Sequence, residues 1–325
     1  MDLGPVRDPS SRAVAGRASY LILHNTSEVV TADPEGRHVL RYPRGAVVFR
    51  EGRVLEVGPG PELLRRHADA RPLNANGRLV TPGLVDCHTH MIFAGHRAVE
   101  MQRRFKGEPY AAIAASGGGI RSTVTATAAE RDDTLEKSLA NRLERWRANG
   151  CTTVEVKSGY GLTPSGETRL LELMRGAAQR VPARLHRTAL LLHALPPEFR
   201  ERRGEYLAAM IGEVLPDVRT RQLASAVDAY CDPVAFTVAE CRALLSRARE
   251  LGLDVKLHAE QFERSGGAAL AAELRACSAD HLEAASAEDW RALGEAGVVG
   301  VLLPGAAVTL RQSLPEAAML RASGA

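Results

Sequence analysis

From residue 82 onward, short apolar runs alternate with longer amphipathic stretches, and this alternation constrains the fold more than any other feature of the chain. Such a pattern predicts parallel βα units. Seven runs have strand length and character: Leu84 to His88, Thr152 to Val156, Arg187 to His193, Ala226 to Tyr230, Asp254 to His258, Ala276 to His281 and Val298 to Leu303. Helices are expected over Thr134 to Asn149, closed by the Asn149-Gly150 stop signal, over Thr237 to Leu251, stopped by Gly252, and over Leu314 to Arg321. Residues 19 to 81 read differently, as an incomplete β-sandwich subdomain. Tyr20 to Leu23 is a strand, and Ala46 to Phe49 and Val54 to Val57 form a hairpin about Glu51-Gly52-Arg53. Pro61 to His67 is a short helix, and Asn76 to Val80 leads back into a strand. Residues 1 to 18 carry no apolar period and are expected to be a disordered extension.

Composition narrows the class of protein. With 325 residues, 45% hydrophobic and 25% charged, the chain can bury a large core and one small additional domain. A formal net charge of +3, spread rather than blocked, and 4% aromatic residues argue against a nucleic-acid partner. Cys87, Cys151, Cys231, Cys241 and Cys277 show no C-x-x-C spacing and are odd in number, as expected of a reduced, cytoplasmic chain. No run approaches the ~20 apolar residues of a membrane helix, so no membrane partner is expected.

The chemistry is concentrated in Pro82-Gly83-Leu84-Val85-Asp86-Cys87-His88-Thr89-His90. Two histidines at i and i+2 project from one face of a strand, where both imidazoles can grip one metal ion. The pair alone is also compatible with an ordinary surface pair; the buried strand before it favours metal. Further segments follow in order: Phe93-Ala94-Gly95-His96-Arg97, Gly117-Gly118-Gly119-Ile120, Glu155-Val156-Lys157-Ser158-Gly159-Tyr160-Gly161, His193-Ala194-Leu195-Pro196-Pro197-Glu198, Lys256-Leu257-His258-Ala259-Glu260-Gln261 and Ser278-Ala279-Asp280-His281. Together, over residues 19 to 325, they resemble the imidazolonepropionase family of the amidohydrolase superfamily.

That resemblance implies a fold and a site. The fold would be an α/β metal-dependent hydrolase TIM barrel over residues 82 to 325, behind the small β-sandwich. Seven of the eight barrel strands are readable, and the chain ends where strand eight would begin. In the family, that strand carries an aspartate completing the metal shell. His88, His90 and His258 would be the ligands of one divalent metal, zinc, with iron the alternative. His281 would assist proton transfer, and Arg97 would hold a propionate carboxylate. Tyr160, His193 and Gln261 would contact the substrate. Taken alone, Tyr160 reads equally as a half-buried tyrosine in a glycine-rich turn, and His193 as a hydrogen-bonded core histidine. Gln261 is an amide and cannot act as a general base, which leaves the role of Glu260 open. Lys157 is read as structural or substrate-side rather than as a carbamylated bridge between two metals. The implied reaction is hydrolysis of the ring amide of 4-imidazolone-5-propanoate to N-formimidoyl-L-glutamate, by a homodimer. A different cyclic amidohydrolase or deaminase, or an inactive metal-binding fragment without strand eight, are the competing readings.

Overall fold

The computed structural model describes residues 20–36, 38–108, 112–113 and 116–325, so the extension expected over residues 1–18 lies outside the described residues. The chain divides into two compact units, one ending at Leu84 and the other running from Val85 to Ala325.

The first unit holds strands β1 (Tyr20–His24), β2 (Glu28–Ala32), β3 (Val39–Pro43), β4 (Gly45–Arg50), β5 (Arg53–Pro59), β6 (Arg71–Asn74) and β7 (Leu79–Val80), with a helix at Gly60–Arg66. They form one sheet in the order β5-β4-β1-β6 and another in the order β3-β2-β7. The β4–β5 hairpin turns through Glu51 (φ 53°) and Gly52 (φ 75°). Two consecutive positive φ values are what a two-residue turn of the strand-matching twist requires, and glycine supplies one at no steric cost. Ile22, Ala46, Val48, Leu63 and Ala70 close the small core of this unit. Sequence pattern alone did not single out β2, β3 or β6. β3 lies at one edge of its sheet and is exposed at alternate residues. β6 is exposed throughout and contains Pro72. Edge strands carry weak apolar alternation because only part of each strand is buried.

The second unit is built on a sheet whose strands follow chain order: β8 (Leu84–Asp86), β9 (Cys151–Lys157), β10 (Arg184–Leu192), β11 (Ala226–Cys231), β12 (Asp254–Ala259), β13 (Ser278–His281) and β14 (Val299–Val301). The pairings from β9 through β14 are all parallel. Strands separated by five neighbour spacings in a flat sheet would lie about 24 Å apart at ~4.8 Å per spacing. Yet His88, just past β8, places its Nδ1 2.6 Å from Asp280 Oδ2 on β13. The sheet is therefore strongly curled, and the C-terminal ends of distant strands converge. Helices Asp132–Ala148, Pro164–Ala178, Val238–Glu250, Gly267–Glu273 and Ala287–Ala296 alternate with the strands. Their apolar faces join the inner strands in one core that includes Leu139, Val156, Leu191, Leu245, Leu257 and Trp290. The helices expected at 134–149 and 237–251 are found at Asp132–Ala148 and Val238–Glu250, and the last expected helix lies at Ala317–Ser323. Short helices at Ala98–Phe105, Ile120–Ala129 and Pro304–Leu310 had no counterpart in the sequence reading.

Candidate metal centre

Four imidazoles meet where the strand ends converge. His88 and His90 follow β8, His258 lies in β12, and His281 ends β13. His90 Nε2 is 3.2 Å from His88 Nε2 and 3.3 Å from His258 Nε2. Nitrogens bound to one tetrahedral zinc at 2.0–2.1 Å are separated by about 3.3 to 3.4 Å, the edge of the tetrahedron. The two separations from His90, to His88 and to His258, thus match the spacing of neighbouring vertices around a common centre. His281 belongs to the same cluster: one nitrogen each from His88, His258 and His281 lie within 4.8 Å of one another. The residues present fit a divalent ion with imidazole ligands.

Carboxylates behind the rings fix their orientation. Asp280 Oδ2 can only accept, so His88 Nδ1 carries the proton and Nε2 is left as a bare lone pair. Asp228 Oδ2 lies 3.0 Å from His258 Nδ1, within ion-pair reach but off the line of a hydrogen bond. Backing a ligating histidine with a carboxylate sets the tautomer and raises ligand basicity. Both carboxylates converge on one ammonium: Lys157 Nζ is 2.7 Å from Asp228, 3.0 Å from Asp280 and 3.2 Å from Glu155, and is fully buried. Burial alone would strip its proton, but the three carboxylates outweigh burial and hold the ammonium above its ordinary range. Burial raises Asp280, yet the Lys157 charge and the His88 hydrogen bond hold it well below the usual carboxylate range. Lys157 is accordingly a structural counter-charge under the histidines. Burial pushes His88 down to about 3 and lowers His90 and His281 as well, so these rings are neutral and available at neutral pH.

His281 (φ 83°) and Leu282 (φ 65°) are both left-handed, an uncommon backbone for two consecutive non-glycine residues. The turn they make stands the His281 ring 5.3 Å from that of His258 and 5.4 Å from that of His88, with Glu283 Oε2 3.6 Å from His281 Nδ1.

Tyr160 and His193 form a wall beside the histidine cluster. Tyr160 lies 5.8 Å from the His90 ring and 5.6 Å from the His193 ring, centroid to centroid. His193 stacks on His90 at 5.3 Å and 23°. Its Nδ1 donates to Gly159 O at 2.7 Å, which leaves Nε2 as an acceptor. Burial, assisted by the charge of Arg97, pushes His193 down to about 3. Arg97 precedes the helix Ala98–Phe105 and donates through Nε to Thr123 Oγ1 at 2.9 Å. Gln261 is buried just past β12, and its carbonyl accepts from Gln312 Nε2. Glu260 is occupied structurally: it accepts from Ser265 N and from Ala268 N at the start of the helix Gly267–Glu273.

Comparison with known proteins gives these features a family. The chain is 46% identical over 280 residues to the imidazolonepropionase of Pseudomonas putida, covering 86% of this chain and 70% of that protein. It is 43% identical over 309 residues to the imidazolonepropionase of Ralstonia nicotianae, covering 95% and 75%. The chain belongs to the imidazolonepropionase family. No protein-family model matches it. Among solved structures, a triazine hydrolase from Arthrobacter aurescens aligns with a TM-score of 0.67 at 13% identity, covering 94% of this chain and 70% of that one. A zinc-bound adenosine deaminase from Xanthomonas campestris aligns at 0.64 and 19%, covering 93% and 66%. These likenesses establish the fold, the amidohydrolase TIM barrel. As an imidazolonepropionase-family chain, it is a metal-dependent hydrolase acting on carbon–nitrogen bonds.

Asp228, Asp280, Glu155 and Glu167 were given no role from sequence. Their signal was a carboxylate inside an apolar strand or first helical turn, as in Ala226-Val227-Asp228-Ala229. A charge in such a run is buried and must be paired.

Proposed function

We propose that the chain hydrolyses the ring amide of 4-imidazolone-5-propanoate to N-formimidoyl-L-glutamate. The observation that carries this reading is the three-imidazole cluster of His88, His90 and His258, bordered by Tyr160 and His193. Those three histidines hold one zinc. A divalent ion there supplies water activation near neutral pH and Lewis-acid polarisation of the carbonyl. His281 takes a proton from the attacking water and returns it to the departing ring nitrogen. Its depressed basicity keeps it unprotonated, and so able to accept, at neutral pH. Arg97 pairs with the propanoate carboxylate, His193 Nε2 accepts from a ring N–H, and Tyr160 and Gln261 orient the ring. Within this reading residues 82–325 are the catalytic domain and residues 19–81 the β-sandwich subdomain. Five cysteines without a disulfide support a reduced, cytoplasmic setting, and a homodimer is the assembly that the sequence resemblance implies. No helix among the described residues is long and apolar enough to cross a membrane.

The test is steady-state turnover of 4-imidazolone-5-propanoate by the chain and by Arg97→Ala. Losing a charged hydrogen bond worth about 1.5–3 kcal/mol raises KM by about 10- to 100-fold. A parent chain that opens other cyclic amides or deaminates purines instead would overturn the substrate, and an unchanged KM in Arg97→Ala would overturn the carboxylate contact.

A further inference from the structure

Beside the metal cluster, the loop Gly159–Leu162 is shaped by a side chain that faces away from the centre. Glu167 lies in the first turn of the helix Pro164–Ala178 and is fully buried. Its Oε2 accepts from Gly159 N at 2.9 Å, and its Oε1 accepts from Gly161 N and Leu162 N, each at 2.7 Å. The three amides belong to residues flanking Tyr160. The loop conformation they close is one that L-residues adopt at a cost: Gly159 has φ +104°, and Leu162 has φ 52°. At Gly161 an added Cβ would sit 2.3 Å from Gly166 C and 2.4 Å from Glu167 N, so loop and helix start are in direct backbone contact. From the other side, Tyr206 donates its hydroxyl to Leu162 O at 2.9 Å. The same loop reaches the second aromatic of the wall, because Gly159 O is the acceptor that fixes the His193 tautomer.

We propose that Glu167 is a positioning residue for the substrate side of the centre: by gathering three loop amides on one carboxylate, it orients Tyr160 and, through Gly159 O, His193. The inference rests on the proposed function for the identity of the ligand, but its geometry does not depend on it. A carboxylate can serve all three N–H donors because it only accepts. Glutamine keeps the length and volume but turns an NH2 toward at least one of these donors.

The experiment compares the full chain with Glu167→Gln and Glu167→Asp by two readouts, metal content being checked throughout. The first is steady-state turnover of 4-imidazolone-5-propanoate. In Glu167→Gln, KM rises about tenfold while kcat stays within about twofold, the split expected when ground-state and transition-state binding are lost together. Glu167→Asp, which keeps the acceptors, recovers part of that loss. The second readout is the imidazole 15N spectrum of His193. It shows a single Nδ1–H tautomer in the parent and a mixture in Glu167→Gln. A lower melting temperature with unchanged KM and an unchanged His193 spectrum would overturn the proposal, because a merely structural carboxylate moves neither. If the parent chain does not turn over this substrate, the functional reading fails while the His193 spectrum still decides the role of Glu167. Should Glu167→Gln not fold, Tyr206→Phe frees the Leu162 end of the same loop. A raised KM or a mixed His193 spectrum then supports the proposal, and the absence of both changes overturns it.

Discussion

Asp280 touches three groups at once: His88 Nδ1 at 2.6 Å, Lys157 Nζ at 3.0 Å and Ser278 Oγ at 2.6 Å. Through the first contact it orients His88, a proposed metal ligand, and through the second it is itself held in place. Replacing it with asparagine, which can turn a donor toward the ring, is expected to weaken zinc binding by about 10- to 100-fold. Competition against a chromophoric chelator measures this, and an affinity equal to the parent's would mean that Asp280 does not orient His88. The buried imidazoles also set a pH dependence. His88 and His193 are pushed down to about 3, so the folded chain keeps them neutral while the unfolded chain protonates them below about 6.5. The unfolded state then binds more protons between these values, and stability falls as pH drops through that window. The metal-free chain is predicted to lose on the order of 1 kcal/mol per pH unit for each ring between pH 6.5 and 5, read from urea unfolding. A flat profile there would show that the rings are not buried neutral. The histidines were singled out in sequence by the buried strand before the His-x-His pair and by the ordered motifs of the family resemblance, since such a pair alone would equally suit an ordinary surface. The carboxylates beneath them were not. Asp228, Asp280 and Glu155 acquire their role only when the curl of the sheet brings β9, β11 and β13 around one lysine.

At the scale of elements, helix boundaries follow local chemistry closely. Thr237 begins the helix Val238–Glu250 with a reciprocal cap, its Oγ1 accepting from Glu240 N while Glu240 Oε2 accepts from Thr237 N. Glu240 also pairs with Arg203. Thr237→Ala is expected to cost about 1 kcal/mol, the usual worth of such a cap, and thermal melting measures it. A loss well below this would place the helix start under tertiary control. The inner strands were readable because they are apolar on both faces, as parallel strands covered by helices are. The helices Ala98–Phe105 and Ile120–Ala129 were not. The first is only eight residues long and leaves its apolar face of Ala98, Met101 and Phe105 outside the core, and the second buries only two threonines, so neither reads as a core-facing helix. In the N-terminal unit the β4–β5 hairpin was legible from its turn residues, whereas β6, with every residue exposed, offered no pattern.

For the molecule as a whole, the curl of the parallel sheet turns five separate sequence segments into one centre. It brings the end of β8 against β13, sets His258 of β12 between them, and leaves the loop after β9 and His193 after β10 as the adjoining wall. Sequence order carried the strand count and the family resemblance, which set His281 near the metal, but not the left-handed turn at His281 and Leu282 that stands its ring beside those of His88 and His258. In the proposed function, this histidine cluster holds the metal on which hydrolysis depends. The most direct test is to strip the purified chain with a chelator and to follow hydrolysis of 4-imidazolone-5-propanoate before and after adding back one equivalent of zinc. The expected result is no turnover in the stripped chain, recovery with zinc, and neither metal retention nor recovery in His258→Ala. Turnover by the stripped chain at the untreated rate, or full recovery in His258→Ala, would contradict it.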